Sequence, residues 1–176
     1  MKWPSHQATA MVTAMAIGFD FMETLCVVLG SVFPDSVEMS IAGRNKYKWR
    51  KIHRKFFHWW VTYAVYIIFI ATFFQNILIM QLTAYFAVGA YFHIIGDAFT
   101  VMGVPFFKPD DRRIAIGLFK TGSKEEYKFT TIYVGTVVLL MATVIGFDYK
   151  EFYMDPYHSI LGELQRVIKD FLIRFS

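Results

Sequence analysis

The apolar positions of this chain fall in long uncharged runs separated by basic stretches. From Phe56 to Gly96 there is no Asp, Glu, Lys or Arg. That run is too long for one crossing, since about 20 helical residues span a bilayer's hydrocarbon. Gln75, Asn76 and Gln81 lie near its middle and divide it into two spans, about 57–74 and 82–103. Pro105 disfavours helix at Val104 and closes the second span. A further uncharged run, Phe129–Phe147, is nineteen residues long and predicts a third span.

The N-terminal run from Ala8 to Phe33 has two readings. As one helix it would be about 39 Å long. It would also bury Asp20 and Glu23 near the bilayer centre, at about 3 kcal/mol for each carboxylate. The favoured reading is a hairpin of two short helices, about 8–17 and 21–32, turning near Gly18-Phe19-Asp20. Lys2 is a weak start for a cleaved signal peptide, and Pro4, His6 and Gln7 interrupt it, so this stretch is read as retained. At the other end, Ile160, Leu161, Leu164, Val167, Ile168, Phe171, Leu172 and Phe175 follow helical spacing behind Asp155-Pro156. They predict an amphipathic helix over 156–176 that lies on a membrane, packs on its own protein or docks a second subunit.

The expected fold is therefore all-α: a polytopic membrane protein with an N-terminal helical hairpin, about three full transmembrane helices and a C-terminal amphipathic helix. It forms a single membrane-embedded domain over 1–176. Its parts are the hairpin at 1–35, a basic loop at 36–56, two spans at 57–103, a loop at 104–128, the third span at 129–147 and the helix at 156–176. Composition agrees. The chain is 56% hydrophobic and 18% charged, against about 25% charged residues in a soluble domain. The net charge of +4 is too small to imply nucleic acid. Cys26 is the only cysteine, so no intrachain disulfide forms. Arg44 to Lys55 contains seven basic residues and no acid, and Lys108 to Lys128 contains six more. Two spans separate these loops, and the positive-inside rule makes both cytoplasmic.

Some polar residues do not fit a lipid-facing helix. His93 and Asp97 stand four apart, so they share a helix face, and Thr100 continues it. Ionisable groups inside spans usually face the protein interior and mark function. His53 and His58 begin the next span, His6 opens the hairpin, and Asp35 follows its exit. In the expected topology these groups gather at one membrane depth, near the cytoplasmic face. Imidazole with carboxylate suits zinc, manganese or iron. A bland alternative is a buried His–Asp hydrogen bond on a glycine-lined packing surface. His158 lies apart from the group. Trp59 and Trp60 read as interface anchors.

His6, "LGSVFPD", "HRKFFH" and "GAYFHIIGDAFTVMGVPFFKP", in this order, resemble the YdjM-like family of bacterial inner-membrane proteins, described as membrane-bound, metal-dependent hydrolases. The similarity covers about 6–128 and is most specific in the last element. The resemblance implies a divalent metal, zinc first and manganese as the other candidate. Its implied ligands are His6, Asp35, His58, His93 and Asp97, with His53 and Arg54 beside them. The family's distant link to zinc-dependent phospholipase C and related nucleases implies phosphoester hydrolysis. Asp35 or Glu38 would take a proton from water, and Arg54 would clamp a phosphate oxygen. Anionic phospholipid at the cytoplasmic face is the implied substrate, and the bacterial inner membrane the implied location. Two departures stand out. Val37 replaces the second acid of the family's Pro-Asp-x-Asp element, with Glu38 one place later. Phe57 and Trp59 replace the threonine and serine that flank the second histidine. A second reading is a non-catalytic membrane subunit or scaffold, with a structural metal site and a partner or second copy docked on its C-terminal helix. A transporter is a third.

Overall fold

In a computed structural model, residues 1–73, 76–109 and 112–145 are described. Helix α1 (Trp3–Ala16) carries Pro4 in its first turn, where a missing N–H costs nothing. The chain turns at Gly18, and α2 (Phe21–Gly30) begins behind a capping box. The Asp20 side chain accepts from the Glu23 N–H, and the Glu23 side chain accepts from the Asp20 N–H, both at 2.9 Å. The two acids of the N-terminal run therefore cap a helix at the turn.

The segment expected to be a basic loop after Asp35 holds two helices instead. Pro34 and Asp35 occupy the first turn of α3 (Phe33–Ala42), a favourable place for both. Asn45 caps the short basic helix α4 (Lys46–Ile52). A 3₁₀ turn, Phe56–His58, leads into α5 (Trp60–Phe73). Helix α6 (Ile77–Ala98) is followed by a minimal antiparallel ladder, β1 (Val104–Pro105) on β2 (Arg113–Ile114). Helix α7 (Lys124–Leu140) starts at the Ser123 cap and runs into a π-helical turn, Met141–Ile145.

The protein is mostly helical, but among the described residues α6 alone is long and apolar enough to cross a membrane by itself. Helices α2 and α3 form a second candidate if their pair, bent by about 40°, is one broken span. Helix α5 is apolar but has fourteen residues, and α7 has seventeen. The described residues thus hold one or two candidate spans where three full ones were expected. The C-terminal helix expected over 156–176 lies outside the described residues.

Helix α6 is the central element. Ala10 and Ala14 of α1 and Val27 of α2 meet Tyr85, Val88 and Phe92 on one side of it. Tyr63 of α5 packs with Ala87, Ala90 and Ile94 on another. Contact with α2 is close enough to need glycine. A Cβ on Gly89 would lie 1.9 Å from the Val27 oxygen, and one on Gly30 would lie 1.9 Å from the Phe86 oxygen. Small residues at helix contacts are the usual device where lipid supplies no hydrophobic drive. Polarity is inverted relative to a water-soluble domain. Val65, Ile68, Phe69 and Phe73 of α5 are exposed, while Glu38, Arg54, His58, His93 and Asp97 are buried.

Candidate metal centre

All the buried titratable side chains just named converge at one end of α6. His93 and Asp97 come from its last two turns, His6 from α1, Asp35 and Glu38 from α3, and His53, Arg54 and His58 from the link between α4 and α5. The His93 Nδ1–H donates to the Ser31 carbonyl at 2.7 Å. That bond fixes the tautomer and turns the Nε2 lone pair inward. Glu38 performs the equivalent task twice. Its Oε1 accepts from His58 Nδ1 at 3.0 Å, and its Oε2 accepts from His53 Nδ1 at 2.7 Å. Carboxylates behind imidazoles in this way orient metal-binding histidines.

Four donor atoms then face one another. His58 Nε2 and His93 Nε2 are 3.1 Å apart. Asp35 Oδ1 lies 3.4 Å from the first and 3.9 Å from the second. Asp97 Oδ2 lies 3.6 Å and 3.8 Å from the same two nitrogens. A tetrahedral ion with bonds of about 2.0 Å needs neighbouring ligands about 3.3 Å apart. The spacing fits, and so does the donor chemistry of two imidazoles and two carboxylates. Orphaned atoms point the same way. Asp35 Oδ1 has no hydrogen-bond partner, and neither has Nδ1 or Nε2 of His6, although all are buried. His6 stacks on His93 with ring centroids 3.8 Å apart, and its Nε2 is 3.4 Å from Asp97 Oδ1. Two adjacent groups can hold a cation, Asp35, Glu38, His53 and His58, and His6, His93 and Asp97, and the four donor atoms above draw two residues from each.

The arrangement places each side chain read from the sequence in the same cluster, but it gives them different tasks. Arg54 is 2% exposed. Its Nη1 donates to Thr100 Oγ1 at 2.8 Å and to the Gly103 carbonyl at 3.1 Å. Its Nη2 lies 2.9 Å from Asp97 Oδ2 and 3.3 Å from Thr121 Oγ1. The terminal N–H groups are thus engaged inside the protein, holding Asp97 rather than reaching outward. The Met1 ammonium also contacts Asp97 Oδ1. Arg54 has φ of +57°, a left-handed backbone rare outside glycine. The network around its side chain holds it there. Glu38 likewise has both oxygens occupied.

The open edge is at Asp35 and His53, whose side chains are 15% and 12% exposed. The Trp3 indole N–H donates to Asp35 Oδ2 at 3.1 Å, and Trp49 stacks on His53 at 4.0 Å. Nothing in the sequence marked Trp3, Trp49, Thr121 or the Ser31 carbonyl as parts of the site. Thr100 was visible through its spacing from His93. Glu126 was also missed: its carboxylate accepts from the Lys2 and Gly122 N–H groups, both at 2.6 Å, and ties the start of α1 to α7. His58 lies on the 3₁₀ turn ahead of α5. Burial pushes its pKa down, but the close carboxylate of Asp35, the hydrogen bond to Glu38 and the charge of Asp97 override this and hold it at about 9.

The sequence profile of the YdjM inner membrane protein family matches residues 1–152. The chain belongs to this family. No curated protein and no solved structure matches it. For a YdjM-family chain the inverted polarity has a direct explanation: exposed apolar helix faces meet lipid, and the charged groups turn inward. The match takes in all the cluster residues, from His6 to Asp97, together with the described helices.

Proposed function

We propose that this protein is a membrane-embedded, metal-dependent hydrolase acting on a phosphoester, with a phospholipid headgroup at the cytoplasmic face as the substrate class. The observation that carries it is the set of four donor atoms on His58, His93, Asp35 and Asp97, spaced 3.1 to 3.9 Å apart in the measured pairs. When bound, a zinc or manganese ion supplies Lewis acidity, making water a usable nucleophile near neutral pH and drawing charge from a phosphoryl oxygen. His58, His93, Asp35 and Asp97 would hold it, with His6 against Asp97. Glu38 orients His53 and His58, and Arg54 orients Asp97. Asp35 and His53 stand at the exposed edge and are the groups that can take a proton from water there. The basic residues of α4 and of the loop at 104–128 suit an anionic headgroup and a cytoplasmic placement.

One observation favours a second reading, a non-catalytic membrane subunit. Asp97 is already neutralised by Arg54 and the Met1 ammonium, so part of the cluster is stable as a purely structural network. One experiment separates the two. The protein is purified in mild detergent and its metal content measured, alongside His93→Ala and Asp97→Ala variants that still insert. Hydrolysis of phosphatidylglycerol and of a water-soluble phosphodiester is then assayed with zinc or manganese loaded. The hydrolase reading requires bound metal in the wild type, its loss in both variants, and phosphoester cleavage that follows the metal. Metal retained without cleavage of any phosphoester supports the structural reading.

A further inference from the structure

The segment from Val104 to Leu118, the first part of the loop expected at 104–128, presents large apolar side chains outward. Phe107 is 74% exposed, and Ile116 and Leu118 are each 56% exposed. Ile114, Ile116 and Leu118 recur at every second position, separated only by Ala115 and Gly117. Ile114 lies on β2, the chain turns at Gly117 with φ of +78°, and all three side chains stay exposed. The segment is also fixed in place. The Ile116 N–H donates to the Ala98 carbonyl at 2.8 Å and the Leu118 N–H to the Phe99 carbonyl at 2.9 Å. Gly103, with φ of +60°, makes the turn and gives its carbonyl to Arg54. The indole N–H groups of Trp59 and Trp60 both donate to the Phe106 carbonyl at 2.9 Å. A rigid, apolar outer face of this kind marks an interaction surface.

We infer that this hairpin is an interfacial anchor whose partner is the headgroup–acyl boundary of an anionic leaflet. Three features favour lipid. Its apolar face continues the exposed apolar face of α5 through Trp60 and Phe106, which lie 6.2 Å apart. Paired tryptophans at the join are the usual furniture of a membrane interface. Basic side chains accompany the hairpin: Lys108, Arg112 and Arg113 against Asp110 and Asp111 in the segment, Lys120 just after it, and Lys46, Lys48, Arg50 and Lys51 on α4. Helix α4 is joined to the hairpin where Arg113 Nη2 donates to the His53 carbonyl at 3.5 Å. Apolar side chains dip below the phosphates while long cationic ones reach up to them. Because the hairpin is bonded to Arg54 and His53, its depth sets the depth of the cluster's open edge, near the lipid phosphates. This stands whether or not the cluster is catalytic.

The test uses the full chain in a Cys26→Ser background. Phe107→Cys and Ile116→Cys are spin-labelled, with Ile68→Cys as the lipid-facing reference, and reconstituted in bilayers of phosphatidylethanolamine and phosphatidylglycerol. Power saturation compares collisions with oxygen and with a water-soluble nickel chelate. Labels at 107 and 116 should prefer oxygen as the label at 68 does, and should move toward water in pure phosphatidylcholine. A label at either position that meets the nickel chelate freely places the hairpin in water and overturns the inference. A label reached by neither reagent shows a protein cover and overturns it too. Depth unchanged in phosphatidylcholine removes the anionic partner. Brominated-lipid quenching of the unsubstituted protein gives a second reading: it should be strong, and should fall in Trp59→Phe/Trp60→Phe.

Discussion

Replacing Arg54 by methionine tests whether the cluster is held in the way described. The guanidinium is buried beside Asp97, itself 1% exposed, and its other donors go to Thr100, Gly103 and Thr121. Methionine fills similar space without a charge or a donor. Removing one member of a buried ion pair costs up to about 3–5 kcal/mol, and less here, because the Met1 ammonium still faces Asp97 Oδ1. The Gly103 carbonyl loses a partner as well, at about 1 kcal/mol or more. Thr100 Oγ1 loses less, since its hydroxyl still donates to the Asp97 carbonyl at 2.7 Å. Against a typical total stability of about 5–15 kcal/mol, the sum is a large fraction. The assay is thermal unfolding in mild detergent with a chelator present. Arg54→Met should lose several kcal/mol, and Arg54→Lys should fall between, since an ammonium keeps the charge but not the planar fork. Arg54→Met/Asp97→Leu should recover only part of the loss, because the carboxylate that Arg54 served is gone while the Met1 ammonium loses its partner. Saturating zinc should narrow the gap for Arg54→Met alone by giving Asp97 another cation. If Arg54→Met lies within about 0.5 kcal/mol of wild type in chelator, the usual range for an inert surface change, Arg54 does not secure Asp97 and the account of the network fails.

His58 gives the site a pH dependence with a definite sign. Its pKa is raised from 6.5 to about 9, so without metal its contribution to stability is complete below pH 6.5 and is lost as pH rises through about 9. Metal binding must displace that proton, so affinity should climb by up to about tenfold per pH unit across the same window. Competition with a chromophoric zinc chelator measures this, and a flat profile would remove His58 from the ligand set. Gly89→Ala and Gly30→Ala should each destabilise by about 1–3 kcal/mol or more, since the added Cβ meets backbone. Gly135→Ala, with nothing within 4 Å, should be neutral or slightly stabilising in the same unfolding assay. Trp3→Phe should leave the fold intact and weaken metal retention modestly, because Asp35 loses the donor on its second oxygen.

The sequence carried much of the site and less of the architecture. His93 and Asp97 were legible because helical spacing puts them on one face and because neither belongs among lipid-facing residues. Asp35, His53 and His58 were legible through the resemblance and through their positions at span ends. Their division of labour was not. Whether Glu38 takes a proton or holds two imidazoles depends on which ring atoms turn toward it, and spacing says nothing of that. Arg54 looked like a phosphate clamp because free arginines often are, and only the converging oxygens of Asp97, Thr100, Gly103 and Thr121 reveal that its donors are taken. Helix α3 was missed because the hairpin was ended at Asp35 and the basic residues of 36–56 were read as a loop; Pro34, in the helix's first turn, was the start signal. The hairpin after α6 was read from its lysines and arginines, which outweighed the alternate apolar positions from Ile114 to Leu118.

Backbone contacts far from any ionisable group explain why the cluster can form at all. Gly30 and Gly89 let α2 and α6 approach until backbone meets backbone. That approach is what brings the Ser31 carbonyl within 2.7 Å of His93, four residues beyond Gly89. With Nδ1 tied there, His93 can turn only Nε2 toward His58, and Gly96, one turn further, leaves room for the His6 ring. A Cβ at Gly96 would lie 2.9 Å from Met1 Sδ and 3.1 Å from that ring, so both would have to shift. The glycines at 30, 89 and 96 are thus the step between helix packing and chemistry. They convert a close contact inside the helix bundle into the orientation of two buried imidazoles. A substitution there should impair metal binding without touching a ligand, which a purely local picture of the site does not anticipate.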